Sequence, residues 1–172
     1  MTQMRDGLFT RFEYYDLDRM GDAVARYDEL RSASRSPDNA ATRASDAVSH
    51  LVRHGDIDHL ADRFHPDAIV ADHARLGQGA GGRRDFVYFM RSWREVWNEG
   101  EADHGGPVAI RGDRLALMEY RFGTEGGWSI DRLAVVETDE NDLITYLNFY
   151  DPDDRQLALA ELDERFEQGG RR

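Results

Sequence analysis

PVAIRGDRLALMEYRFGTEGGWSIDRLAVVETDENDLITYLNFYD, running from Pro107 to Asp151, decides the fold. It reads as four strands with short turns and no helix between them. Val108 to Arg111, Leu115 to Phe122, Trp128 to Glu137 and Leu143 to Tyr150 have strand length and β-forming content. Pro107 stands at the start of the first, where proline is tolerated. The breaks are Gly112-Asp113, Gly123 to Gly127 and Asp139 to Asp142. Connections this short leave antiparallel neighbours. The second half of the chain is a meandering sheet, and the helices before it must cover one face.

Alternation along those strands sorts their polar groups. Leu115, Leu117, Glu119 and Arg121 share one face of the second strand; Ala116, Met118, Tyr120 and Phe122 share the other. Asp131 lies with Leu133 and Val135, and Tyr146, Asn148 and Tyr150 lie with Ile144. An apolar face that gives way to charge is either the mouth of a pocket or a solvated edge, since charged groups are seldom buried.

The whole chain, 172 residues with 40% hydrophobic and 33% charged content, fits one domain with a sizeable core. A net charge of −12 argues against nucleic acid and anionic membranes as partners. No apolar run reaches the length of a membrane span and no signal core opens the chain, so a cytoplasmic location is expected. Cysteine is absent, which excludes thiol chemistry and disulfides. Every one of the 22 basic residues is Arg, which excludes a Schiff-base lysine.

Residues 1–35 read as a strand–helix extension: Leu8 to Tyr15 extended, then a helix to about Leu30 capped by Asp16 or Asp18. This segment has an echo. Tyr15-Asp-x-Asp with Ala23, Ala25, Asp28 and Glu29 recurs without a gap as Tyr150-Asp-x-Asp with Ala158, Ala160, Asp163 and Glu164. Ser32 to Asn39 is the linker candidate, and residues 36–172 form the main domain. From Asn39 the spacing of Ala40, Ala44, Val48 and Leu51 is helical, ending at Gly55. Asp56 is expected to cap a second helix with Ile57, Leu60, Ala61 and Phe64 buried, stopped by His65-Pro66. A short strand follows at Ala68 to His73, then a glycine loop from Gly77 to Gly82. Arg83 to Trp97 is a helix burying Phe86, Met90 and Trp93. Asn98 to Gly106 connects it to the sheet, and a last helix spans Asp153 to about Phe166.

Gly77-x-Gly79-x-x-Gly82 matches the dinucleotide fingerprint literally, but a βαβ unit does not follow it, so a lid or turn is expected and no cofactor. His50 and His54 are one helical turn apart and off the apolar stripe, which points to solvent rather than metal. Asp72-His73 ends a strand beside the glycine loop. One of the two can enter a cavity and share acid–base work, or pin the loop through its backbone.

The element order and several stretches resemble the nuclear transport factor 2-like superfamily, in its SnoaL-like branch. The stretches are His65-Pro-Asp-Ala-Ile-Val, Asp72-His73-x-Arg75-Leu-Gly77, Gly82-Arg-Arg-Asp-Phe, Ile130-Asp-Arg-Leu-Ala-Val-Val-Glu and Phe149-Tyr-Asp151. The resemblance covers about Ala40 to Asp151. It implies an α+β fold: a cone-shaped curved antiparallel or mixed sheet covered by the helices before it, with this chain adding an N-terminal strand–helix segment and a C-terminal helix. It also implies homodimers. Members include polyketide cyclases, steroid isomerases, dehydratases, epoxide hydrolases and binders without chemistry. SnoaL-type cyclases carry an acid–base Asp at a position near Val135 here; Asp131 is four residues earlier on the same face. Epoxide hydrolases flank an Arg with two Asp, which Glu119, Arg121 and Asp131 imitate in another order.

Two functions follow as expectations. In the first, a cofactor-independent enzyme of cyclase, isomerase, dehydratase or epoxide-opening type acts on a small secondary metabolite. Asp131 is its base and His73 or Asp72 returns the proton. Tyr120, Tyr146 or Asn148 polarises an oxygen, and Trp128, Trp93, Glu119 and Arg121 line the substrate. In the second, the domain is a non-catalytic binding or dimerisation module whose cone is filled by Leu117, Met118 and Trp93.

Overall fold

The computed structural model describes residues 2–5, 8–12, 19, 38–74, 79–96, 101–123 and 129–169. The chain divides into two units, Met1–Ser36 and Pro37–Arg172. In the first, β1 (Thr2–Arg5) and β2 (Leu8–Phe12) pair antiparallel with a bulge at Gln3/Met4. The helix read toward Leu30 lies, but for Arg19, outside the described residues.

The second unit opens with α1 (Ala40–His54). Asn39 caps it: its Oδ1 accepts from Thr42 N at 2.9 Å, and Thr42 Oγ1 accepts from Asn39 N at 2.9 Å. Gly55 ends it at φ 72°, a conformation that favours glycine.

The expected second helix is a 3-10 segment, Ile57–Arg63, and β3 (Phe64–Asp72) begins at once. Pro66 drives His65 out of helical geometry, and Phe64 joins the sheet opposite Ile144. Asp56 makes no cap bond; its carboxylate lies 2.6 Å from His59 Nδ1. Part of the glycine loop is a strand: β4 (Gly79–Gly82) pairs antiparallel with β3. Then comes α2 (Arg83–Val96), where Asp85 accepts from Gly82 N at 2.8 Å. The stretch read as a connection is already strand from Glu101, in β5 (Glu101–Arg111). β6 (Leu115–Gly123), β7 (Ser129–Thr138) and β8 (Ile144–Tyr150) fall within a residue of their expected bounds. A 3-10 turn at Pro152–Asp154 leads into α3 (Arg155–Gly169).

The sheet runs β4-β3-β8-β7-β6-β5, with β3 and β8 parallel and every other pair antiparallel. The α+β fold class read from the sequence holds. The inner face packs Ala116, Met118, Tyr120, Ala134, Val136, Leu147 and Phe149 against α1 and α2. The outer face packs Leu115, Leu117, Leu133, Val135 and Tyr150 against Ala158 and Leu162 of α3. The sheet is therefore buried on both sides. Leu117, expected to fill the cone, is in the outer core. Ile144 departs from its expected partners as well. Glu137 faces Tyr146 and Thr138 faces Ile144, so β8 carries an extra residue there. That bulge turns Ile144 to the inner core while Tyr146 stays with the outer one.

Candidate functional site

Three small cavities lie between α2 and the inner face of the sheet. One of about 70 Å³ touches Val70, Asp72, Asp85 and the glycines of β4. One of about 50 Å³ is bounded by Asp72, Phe89, Met90, Trp93, Ile130 and Arg132. The innermost, about 10 Å³, reaches Ser49, Tyr120 and Ile144. Phe86 and Phe149 wall all three. Their rings stack at 6.2 Å, and Phe89 contacts Trp93 at 4.9 Å. Drug-sized ligands occupy pockets of about 300–1,000 Å³. Among the described residues the hollow is mostly filled by aromatic rings.

Its polar groups are few. Arg132 projects inward because it alternates with Ile130, Ala134 and Val136 on β7. Nη1 donates to Asp131 O and to Asp151 Oδ1, both at 3.0 Å. The Arg132 and Asp151 side chains are 14% and 20% exposed. Nε and Nη2 find no partner among the described residues. A guanidinium has five donors, so several stay available beside the hollow. Asp72 binds Ala74 N at 3.0 Å, closing the turn after β3.

The expected site residues scatter. Asp131 is on the outer face with Leu133 and Val135, away from the hollow. It pairs with Arg121 at 2.7 Å, the two side chains 42% and 66% exposed. A general base in a water-poor cone is not what this position offers. Because exposed pairs contribute little, Asp131→Asn is expected to shift stability by under about 1 kcal/mol, read by urea unfolding. Glu119 is exposed on the same face as Arg121. His73 is exposed too; its backbone N donates to Phe149 O at 2.9 Å and its ring stacks on Tyr150 at 5.5 Å. Tyr120 is inside but deep, its hydroxyl bonded to Ser45 of α1. Trp128 lies outside the described residues. Of the expected residues, Asp72, Trp93 and Tyr120 line the hollow. Arg132, Phe86, Phe89 and Phe149 were not singled out as site residues; the signal was their placement on the inner face and on the apolar stripe of α2.

Tyr146 and Asn148 serve α3 instead. Tyr146 Oη donates to Glu161 Oε1 at 2.5 Å, and Tyr150 Oη and Asn148 Nδ2 donate to Oε2 at 2.7 and 2.9 Å. Arg165 covers the Tyr146 ring at 3.2 Å. Burial first, and the Glu161 bond second, push the Tyr146 hydroxyl up to about 12 and raise Tyr150 as well. Burial pushes Tyr120 up to about 12 despite its bond to Ser45. An unfolded tyrosine ionises near pH 10. Above that the native chain holds more protons than the unfolded one, so stability falls as pH rises. These tyrosines' contribution is full below about pH 10 and lost as pH passes about 12. Urea midpoints measured across that window should fall, and Tyr146→Phe should lessen the fall.

A larger open groove of about 960 Å³ lies beside the end of α3. Two of its arginines are paired, Arg111 with Asp163 at 2.7 Å and Arg165 with Glu137 at 3.3 Å. His50 and His54 have rings 4.3 Å apart and are exposed. Among the described residues no group of three His, Cys, Asp or Glu could hold a metal ion, and no helix is long and apolar enough to cross a membrane.

No family model matches the chain, and no curated protein matches it. Solved structures do. A cystatin-fold protein from Novosphingobium aromaticivorans is 16% identical, covering 66% of this chain and 99% of its own, with a TM-score of 0.52. A protein with a cystatin-like fold from Methylobium petroleophilum is 18% identical over 64% of this chain and 74% of its own, TM-score 0.56. RV0760c from Mycobacterium tuberculosis is 14% identical over 67% of this chain and 93% of its own, TM-score 0.55. It has also been solved in complex with estradiol-17beta-hemisuccinate. At these identities the likeness establishes the fold: a cystatin-like, nuclear transport factor 2-like curved sheet with helices.

Proposed function

We propose that this protein binds a small, mainly apolar, uncharged molecule in the hollow, with an oxygen of that molecule turned toward Arg132. The observation that carries the reading is Arg132: a largely buried guanidinium beside aromatic rings, with donors left after its bonds to Asp131 O and Asp151. Charge decides what those donors accept. Asp72 also lines the hollow and Asp151 pairs with the Arg, so two carboxylates stand near one guanidinium. The whole chain carries −12. A carboxylate ligand would be repelled by Asp72 and Asp151 at close range, whereas a carbonyl or hydroxyl oxygen would not. A ring-sized ligand needs more room than the cavities offer. Such a ligand has to displace the half-buried Phe89, which packs on Trp93 at the edge of the core.

The ligand of RV0760c joins an apolar steroid body to a hemisuccinate carboxylate; the steroid body matches the apolar occupant proposed here, and the carboxylate is the part this reading excludes. The SnoaL-like branch and a secondary-metabolite ligand belong to the same proposal. A dimer through the outer sheet face would have to pack around α3, which covers part of that face.

Calorimetric titration with 2-acetylnaphthalene and with 2-naphthoate tests the reading. The ketone should bind about tenfold or more tightly than the carboxylate. Equal affinities, or a preference for the carboxylate, would overturn the choice of an uncharged ligand. No binding of either would overturn the hollow as a site.

A second reading keeps acid–base turnover but moves it from Asp131 to Asp72 and Arg132. What favours it is that a carboxylate and a guanidinium line one hollow. On this reading Asp72→Asn abolishes turnover of a bound substrate with its affinity unchanged; retained turnover would remove Asp72 as the acid–base group.

A further inference from the structure

Ser49 has no part in the account so far. It lies on α1, one turn beyond Ser45, and is 3% exposed. Residues four apart share a helix face. Ser45 therefore fixes the direction: its hydroxyl meets Tyr120 on the inner face of the sheet, and Ser49 aims at that face one turn further along. Ser49 Oγ finds no partner among the described residues. It lines the innermost cavity, among Val48, Val52, Met90 and Tyr120.

A buried hydroxyl without a partner is costly. Elsewhere the inner stripe of α1 uses Ala41, Ala44 and Val48, which carry no such cost. Alanine at position 49 would keep the helix and remove an unpaired polar atom. What sets Ser49 apart from Thr138 Oγ1 and Asn148 Oδ1, also buried without a partner among the described residues, is that it lines a cavity of the hollow, where a group that is not part of the chain can reach it. The cavity before it, about 10 Å³, is near the size that admits one oxygen-sized atom. It shares Phe86, Met90, Phe122 and Phe149 with the cavity that Arg132 lines. Tyr120 bridges the two ends: on β6 it is the register partner of Arg132, and its hydroxyl reaches α1.

We infer that Ser49 Oγ hydrogen-bonds a second oxygen of the bound molecule, at the end away from Arg132. The ligand class is then a flat apolar body with an oxygen at each end, such as a hydroxylated aromatic or alicyclic ketone. The inference rests on the hollow being a binding site. Within that reading it adds a group that selects between ligands of nearly equal size.

The test compares 2-acetylnaphthalene with 6-hydroxy-2-acetylnaphthalene by calorimetry on the full chain and on Ser49→Ala. The wild type should bind the hydroxylated ketone about tenfold more tightly. Ser49→Ala should bind both ketones alike, with the affinity for the plain ketone unchanged. If the wild type binds both alike, or if the variant keeps the preference, Ser49 does not read the second oxygen. In either case the hollow remains a site. If neither ketone binds the wild type, the binding reading fails and this inference with it.

Discussion

Glu161→Ala is expected to lower the unfolding free energy by about 3–4 kcal/mol. One carboxylate accepts from Tyr146, Tyr150 and Asn148 and pins α3 to the sheet. Alanine would take the acceptor from two partly buried tyrosine hydroxyls and leave Asn148 Nδ2 with only its bond to Tyr150 Oη at 3.0 Å. Hydrogen bonds to a charged group contribute about 1.5–3 kcal/mol each, and partial exposure of the two tyrosines reduces that sum. Beneath them Ala158 and Leu162 cover Leu115, Leu117, Leu133 and Val135. A loosened α3 would expose that layer, so the denaturant slope should fall along with the midpoint. Glu161→Gln keeps an acceptor and should lose about half as much. A loss below about 1 kcal/mol for the alanine variant would mean that apolar contact alone holds the helix.

Arg132→Lys is expected to weaken binding of 2-acetylnaphthalene by about 10–100-fold. Lysine can keep the ion pair with Asp151 but lacks the planar fork, so the donors that face the hollow are lost or misplaced. Stability should fall much less than in Arg132→Gln, which takes the guanidinium away from Asp151 where that carboxylate is 20% exposed. That variant should cost about 2–4 kcal/mol, somewhat under the usual figure for a fully buried pair. Asp131→Asn serves as the comparison. It changes the neighbouring residue on the opposite face and should leave ketone affinity unchanged.

The contrast between residues 131 and 132 shows how far the sequence could be read. Alternation along β7 sorts side chains into two sets without ambiguity. It does not say which set faces inward. Normally the apolar face answers that, but here Leu133 and Val135 are as apolar as Ala134 and Val136. Both faces are buried, one under α1 and α2 and the other under α3. With Asp131 on one side and Arg132 on the other, periodicity alone could not choose. The sequence places Leu157, Ala158 and Leu162 on the inward side of the last helix; Ala158 and Leu162 are buried there, whereas Leu157 is 62% exposed. The seat of that helix on the far side of the sheet depends on Glu161 meeting residues up to 15 positions away across a turn, which local pattern does not encode.

Elements held by local chemistry were legible for the same reason. α1 carries its own cap in Asn39 and its own stop in Gly55. The meander followed from turn residues and strand composition, and β6, β7 and β8 lie within a residue of where they were expected, while β5 begins at Glu101 rather than Val108. The boundaries that moved are those set by pairing. β3 starts at Phe64 because β8 waits opposite it, and the glycines of β4 become a strand only because β3 offers an edge. Glycine-rich sequence gives little reason to expect a strand on its own.

Methyl-resolved NMR during titration with 2-acetylnaphthalene tests the central claim most directly. Met90 and Ile130 line the hollow; Leu117 and Leu133 lie on the other side of the sheet. Binding in the hollow predicts shifts at Met90 and Ile130 with Leu117 and Leu133 unmoved. Shifts confined to Leu117 and Leu133, or none at any of the four, would contradict it.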